Sequence, residues 1–406
     1  MKNSNFKAEY QALIEELGFS NNLLEDLSKE VTENGFAGDT LVPELVYLTL
    51  NTSRLNKPVS VVIKGPSGAG KSFALDAGKR FVPSSYLEEF HGASEKAIVY
   101  NEASYVHKHI VIGEYAGMET GTGQAMLRQL LSEGEIRYLT VDSTSKDGLK
   151  SKEVCKDGPT GLIVTTTKNG LHPEDESRVL SINIKESPEQ IKSALLAAIM
   201  KGGTKKTETD VTRWHKLFEF NRAGPTKVHT PYLEEIVGYL PTSHDRIKRD
   251  LNQLISLIET HAIMHCYDRN WIDEETVLAN QKDYEAVYRL IHQELAEGLQ
   301  QDVSETVREL VEAVEEIRSN PVDGVSQTEL AKHLKRDQYA ISRTARKAIG
   351  LGYLKDDNPG QGRKAELVLG DVELPSGSVL PHPDVLFAKP ANDNQEREPA
   401  KATQSW

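Results

Sequence analysis

Residues Gly65 to Ser72 read GPSGAGKS and directly follow the β-branched run Val59-Ser60-Val61-Val62-Ile63-Lys64. The spacing G-x-x-x-x-G-K-[ST] between a strand-like run and a helix-like stretch (Phe73 to Phe81) narrows the possible folds sharply: a buried strand must end in a tight turn and pass straight into a helix. Gly65, Gly68 and Gly70 let the backbone turn and aim N–H groups at phosphate oxygens, with Pro66, Ser67 and Ala69 between them. The helix that opens at Lys71, Ser72 and Phe73 adds its positive N-terminal end. Lys71 reaches β- and γ-phosphates, and the Ser72 hydroxyl is placed to hold Mg²⁺. The implied ligands are ATP and Mg²⁺; the plain alternative is a glycine-rich turn with an accidental lysine.

A chain of 406 residues with 38% hydrophobic and 27% charged residues is long enough for two or three soluble domains. No apolar run approaches the roughly 18 residues of a membrane span. The segment MKNSNFKAEY has no apolar signal core. Two cysteines, Cys155 and Cys266, build neither a disulfide framework nor a zinc spacing. The expectation is a cytoplasmic protein without a membrane partner.

The net charge of −13 is unevenly spread. Residues 1–50 carry nine acids against three bases, and residues 272–325 fourteen against four. Residues 326–370 invert the balance, with nine Lys/Arg against five Asp/Glu. A basic module on an acidic chain points toward nucleic acid, although a charge cluster is also an ordinary solvated face.

Residues 1–40 read as an N-terminal helical segment, amphipathic through Leu13, Leu17, Leu23, Leu24 and Leu27 and broken at Asn34-Gly35. From 41 to 185 a helix is followed by short apolar runs (VSVVI, KAIVY, HIVIGE, IRYLTV, GLIVTTT, VLSINI) alternating with helical stretches, the pattern of an α/β sheet covered on both faces. Residues 186–302 are almost wholly helical by periodicity. Residues 303–371 read as helix, capped short helix (Ser326-Gln327-Thr328-Glu329), turn, helix (Gln338 to Ile349) and glycine-rich hairpin, the layout of an α+β winged helix-turn-helix. Residues 372–406, rich in Pro, Ser, Asn and charge, are expected to form a disordered tail.

A hydrolytic phosphate loop needs a group that positions water. The strand His109-Ile110-Val111-Ile112-Gly113 ends at Glu114, which is the candidate carboxylate; a surface glutamate at a strand end is the alternative. Gly161 to Thr167 is a second buried strand ending in hydroxyls. Lying between the loop strand and the acid-bearing strand, it would bring Thr167 near the γ-phosphate, although threonines also simply favour strands. Arg178, in HPEDESRVLSI, is placed either to neutralise charge on a neighbouring subunit's nucleotide or to pair with Glu174 or Asp175.

In this order (phosphate loop, strand ending in an acid, hairpin, hydroxyl-bearing strand, Ser177-Arg178, helical lid), the chain resembles the AAA+ ATPases, and among them the MCM-like replicative helicases. IVIGEYAGM, SEGEIRYLTV and RDLNQLISLIETHA carry the likeness. It is similar, more closely, to the primase-associated helicase-type ATPases of phages and mobile elements, through KGPSGAGKS, LLSEGEIRY and GPTGLIVTTT. The resemblance implies a three-layer P-loop core (41–185) with a helical lid (186–302), Thr167 as sensor, Arg178 as arginine finger and Arg249 as the second-sensor arginine. It also implies a homo-oligomeric ring. Gly113 stands where the family has aspartate, and the expectation is that the family's N-terminal DNA-binding domain is missing.

Residues 136–156 read as a hairpin with Asp147-Gly148 at its tip. In the resembled family this hairpin enters the ring channel, so Lys146, Lys150 and Lys152 are candidate phosphate contacts; a solvated surface hairpin is the alternative. In the winged unit, Arg343, Arg346 and Lys347 fall on the exposed face of the second helix, and Arg363 and Lys364 on the wing. These are candidate contacts to single- or double-stranded DNA, unless the module serves protein contacts. The expectation is a DNA-dependent ATPase with a helicase-like role in replication of DNA or of a mobile element, with a primase or polymerase as candidate partner. The competing expectation is an ATP-gated DNA-binding initiator or regulator that unwinds nothing.

Overall fold

The computed structural model describes residues 2–90, 100–113, 122–142, 150–167, 176, 178–184, 188–201, 210–241, 246–318, 324–360, 365–372, 374 and 379–388. Helices α1 (Lys2–Glu16), α2 (Leu23–Glu33) and α3 (Leu41–Asn51) precede strand β1 (Val61–Lys64) and helix α4 (Lys71–Lys79). Strands β2 (Leu87–Phe90) and β3 (Lys108–Ile112), helix α5 (Thr122–Glu133), the hairpin β4 (Glu135–Asp142) and β5 (Lys150–Asp157), and strands β6 (Thr160–Thr166) and β7 (Leu180–Asn183) follow.

Five of these strands form one parallel sheet in the order β2-β3-β6-β1-β7. Alternate residues of each strand enter different cores. Val61, Ile63, Val111, Ile163, Leu180 and Ile182 join α3 and α4 on one face. Val62, Ile110, Ile112, Leu162, Val164 and Val179 meet Met126 and Leu130 of α5 on the other. That two-sided burial is why the strands read as unbroken apolar runs. The crossovers bring all five C-terminal ends to one edge.

Strand β2 has no apolar signature: Glu88 and Glu89 occupy its middle, and it lies at the sheet edge, where only one neighbour must be satisfied. The strand expected at KAIVY is not found where it can be checked: Tyr100 is helical and residues 96–99 lie outside the described residues. The hairpin runs a residue or two further than expected at each end, in register from Glu135↔Asp157 to Asp142↔Lys150.

Helices α6 (Pro188–Lys201), α7 (Thr212–Arg222), α8 (Leu233–Tyr239), α9 (Ile247–Met264) and α10 (Gln281–Asp302) form the helical part. It also holds two short parallel strands, β8 (Lys227–His229) and β9 (Thr276–Leu278). The N-terminal helices share one core with it, Tyr10 donating to the Met264 carbonyl at 2.9 Å. At its centre Asp283 accepts from Arg269 (Nη2, 2.8 Å) and lies 2.7 Å from His261 Nδ1. Burial alone would raise the Asp283 carboxyl, but these two partners outweigh it and hold the group well below the usual range.

Helix α11 (Glu305–Ile317), strand β10 (Val325–Ser326), helices α12 (Gln327–His333) and α13 (Gln338–Gly350), and strands β11 (Leu354–Asp356) and β12 (Glu366–Leu369) pack around a separate core. The sheet order is β10-β12-β11, antiparallel. The capping box at Ser326 forms: Glu329 N donates to Ser326 Oγ at 3.3 Å, and Ser326 N to the Glu329 carboxylate at 3.0 Å.

The expectation of a disordered tail from 372 fails for residues 379–388. Val379 and Leu380 are buried, and helix α14 (Pro383–Leu386) lies on α10. Phe387 packs edge-on against Tyr232 and Tyr284, and Tyr284 donates to the Pro381 carbonyl at 2.7 Å. A few apolar and aromatic anchors suffice to order a polar segment when a partner surface is in place, and composition averages over them.

Candidate functional site

The loop between β1 and α4 sits at the C-terminal edge of the sheet, next to its centre. Gly68 and Gly70 have φ of +87° and +72°, in the region that favours glycine. Helix α4 has no side-chain cap at its N-terminus, where Gly70 takes the capping position with left-handed backbone. Lys71 is buried and folds over the loop, donating to the carbonyls of Gly65 at 2.9 Å and Pro66 at 2.7 Å. Ser72 is exposed on the first turn of α4. Phe73 is 46% exposed and stacks on Phe36 with ring centroids 5.3 Å apart.

Strand β6 lies between β1 and β3, where the sequence reading put it. Thr166 stands opposite Lys64, so Thr167, one residue further, is exposed at the level of the loop. Thr165 Oγ1 donates to the Gly113 carbonyl, and Gly113 N donates to Phe90 O at 3.0 Å, which anchors the end of β3 from both sides. Glu114 itself lies outside the described residues. Arg178 is half-buried and donates through Nη1 to Ser132 Oγ at 2.6 Å, while its buried Nε has no partner among the described residues. Glu174 and Asp175, its expected pairing alternatives, lie outside the described residues.

A cavity of about 490 Å³ opens beside the loop. Its apolar wall comes from Phe36, Leu41, Leu45, Phe73, Ala74 and Leu290, and its polar rim includes Asn183, Arg289, Glu294 and Glu297. Asn183 N donates to Glu294 at 3.3 Å, and Asn183 Nδ2 to Glu297 at 3.1 Å, so the end of β7 is tied to α10 across this space. Arg289 donates to the buried Glu44 carboxylate; burial still leaves that carboxyl raised above its ordinary value. The sequence carried no local sign of this cavity, because its walls come from segments more than two hundred residues apart.

The remaining expected residues lie elsewhere. Arg249 is exposed on the first turn of α9 and does not line the cavity; Arg289 is the arginine that does. Lys150 and Lys152 lie on β5, opposite Asp142 and Thr140, and Lys146 lies outside the described residues. Arg343, Arg346 and Lys347 are exposed on α13 beside Tyr339, which is 75% exposed. Ile341, Ala345 and Ala348 face its core, and Ile349 packs partly buried against it. Arg363 and Lys364 lie outside the described residues.

A buried cluster of His261, His265 and Asp283 brings three metal-ligand types together. Asp283 is already saturated by Arg269, His261 and the Asn280 N–H, which makes the cluster a structural network.

No protein-family model matches the chain, and no curated protein sequence matches it.

Proposed function

We propose that the chain is an AAA+ type ATPase that couples ATP hydrolysis to work on DNA and assembles as a ring. The observation that carries this reading is the position of GPSGAGKS at the C-terminal end of a strand flanked by β6 and β7, with β3 next beyond β6. In open parallel sheets ligands bind at that edge. Lys71 turns from the loop carbonyls to the phosphates. The N–H groups of the loop and of the first turn of α4 hold the phosphate oxygens. The neighbouring cavity accepts the base, with Phe36 and Leu290 against its face. Glu114 orients the attacking water, Thr167 reads the γ-phosphate, and Arg178 serves a neighbouring subunit's nucleotide.

Ser72 offers one hard oxygen ligand, which fits Mg²⁺ held mainly by phosphates and water. Mg²⁺, when bound, neutralises charge that develops on the phosphates. The exposed cations of α13 fit a winged-helix module that meets DNA phosphates.

A second reading, an ATP-gated initiator or regulator, is favoured by Gly113. Its backbone is committed to Thr165 and Phe90, and it has no carboxylate for the metal's water shell.

ATP turnover measured with and without single- and double-stranded DNA, beside mass measurement in ATP, tests the proposal. DNA-stimulated turnover by an oligomer supports the first reading. ATP-dependent binding at a defined site without turnover supports the second, and absence of ATP binding removes both.

A further inference from the structure

Strand β1 ends on a lysine where its other residues are buried and apolar. Lys64 is 1% exposed and immediately precedes Gly65. Its Nζ donates to the Glu176 carboxylate, with the two side chains 2% and 13% exposed. The same carboxylate oxygen accepts from Ser181 Oγ of β7. Two residues beyond Glu176, Arg178 is held to Ser132 of α5. The Lys64 carbonyl accepts from Ile184 N at 2.8 Å, beyond the end of β7. A buried ion pair stabilises little compared with a well-packed apolar pair, so stability alone gives no reason for charge here. What the pair supplies is a directional joint between the base of the phosphate loop and the turn bearing Arg178.

We propose that Lys64 and Glu176 are positioning residues that make the stance of Arg178 depend on the phosphate loop. This rests on the reading of Arg178 as a group acting on a neighbouring subunit's nucleotide. Lys71 holds the Gly65 and Pro66 carbonyls until it turns to phosphate, which frees the backbone next to Lys64. Water cannot replace a buried carboxylate as partner, so Glu176 follows Lys64, and Ser181 limits the movement to one direction.

The test uses the full chain with Glu176→Gln, Lys64→Met, Lys64→Arg and the apolar double variant Lys64→Met/Glu176→Leu, which keeps the site packed if a single change fails to fold. Nucleotide affinity is read with a fluorescent ATP analogue and turnover with ATP, each also in an Arg178→Ala background. Turnover should fall about tenfold or more in Glu176→Gln, Lys64→Met and the double variant while affinity stays within about twofold. Lys64→Arg should recover most of the turnover, and Glu176→Gln should cost nothing further beside Arg178→Ala. Parallel loss of affinity, additive loss beside Arg178→Ala, or full turnover in the double variant overturns the proposal. If the wild-type chain does not hydrolyse ATP, the functional reading has failed, and hydrogen exchange in residues 178–184 decides the coupling separately. Protection gained with a non-hydrolysable analogue in the wild type and lost in Glu176→Gln supports it; equal behaviour of the two overturns it.

Discussion

The Lys71 ammonium donates to the Pro66 carbonyl at 2.7 Å, so the cation of the phosphate loop is spent on its own backbone. On the proposed reading a nucleotide phosphate would replace a neutral acceptor with a charged one, a favourable exchange. Lys71→Ala should weaken ATP binding roughly tenfold to a hundredfold, the value of one or two charge-assisted bonds. Titration with a fluorescent nucleotide measures it, and unchanged affinity would remove the loop from the site.

The cavity and the loop make separable contributions. Ala37→Trp places a large ring at the cavity wall and leaves the residues of the 65–72 loop unchanged. ATP affinity should fall about tenfold or more, while that of inorganic triphosphate stays within about twofold. Calorimetry with both ligands checks this. Equal losses would mean that the cavity does not hold the base.

On α13, Arg343 and Arg346 are exposed and stand clear of the core. Changing either to alanine should leave stability within about 0.5 kcal/mol. Each change should lower DNA affinity and reduce the slope of log affinity against log salt by about 1. Fluorescence anisotropy over a salt series reads both quantities; an unaltered slope would assign this face to a protein partner.

Buried His109 and half-buried Glu259 give opposing pH dependences. Burial pushes His109 down from 6.5 to about 4, its Nε2 lying 3.0 Å from the Val59 carbonyl. Its contribution is therefore full above pH 6.5 and is lost as pH falls toward 4. Burial raises Glu259 from 4.5 to about 7, so its contribution is full below pH 4.5 and is lost as pH rises through 7. Glu259→Gln should stabilise the protein at pH 8 by up to about 3 kcal/mol. The variant should also lose more stability than the wild type between pH 6.5 and 4.5. Thermal melts across this range test it, and a gain independent of pH would contradict it.

In the helical part, Asp283 holds Arg269, which is 2% exposed. Asp283→Ala leaves that guanidinium buried without its carboxylate and should cost about 3–5 kcal/mol. Urea unfolding measures the loss. A cost below about 1 kcal/mol would show that the arginine finds water or another acceptor.

Local chemistry was legible in the residues themselves. Glycines at 68 and 70 mark the turn, because glycine reaches their positive φ at little cost. Ser326 and Glu329 mark a helix start, because the cap is made within four residues. Apolar runs marked β1, β3, β6 and β7, because both sheet faces are buried. Edge strand β2 escaped because half-buried Glu88 and exposed Glu89 interrupt its apolar pattern. Sequence alone thus determined the loop, the four apolar strands of the sheet and the exposed cations of α13.

Tertiary structure alone decided which distant residues meet. It brought Phe36, Asn183 and Leu290 to one cavity, and chose Arg289 over Arg249 to line it. It paired Lys64 with Glu176 and laid residues 379–388 on α10. Turns and caps are closed by neighbours in the chain, whereas cavities and buried ion pairs depend on where whole elements dock. Docking follows the sum of many apolar contacts, which no single segment encodes.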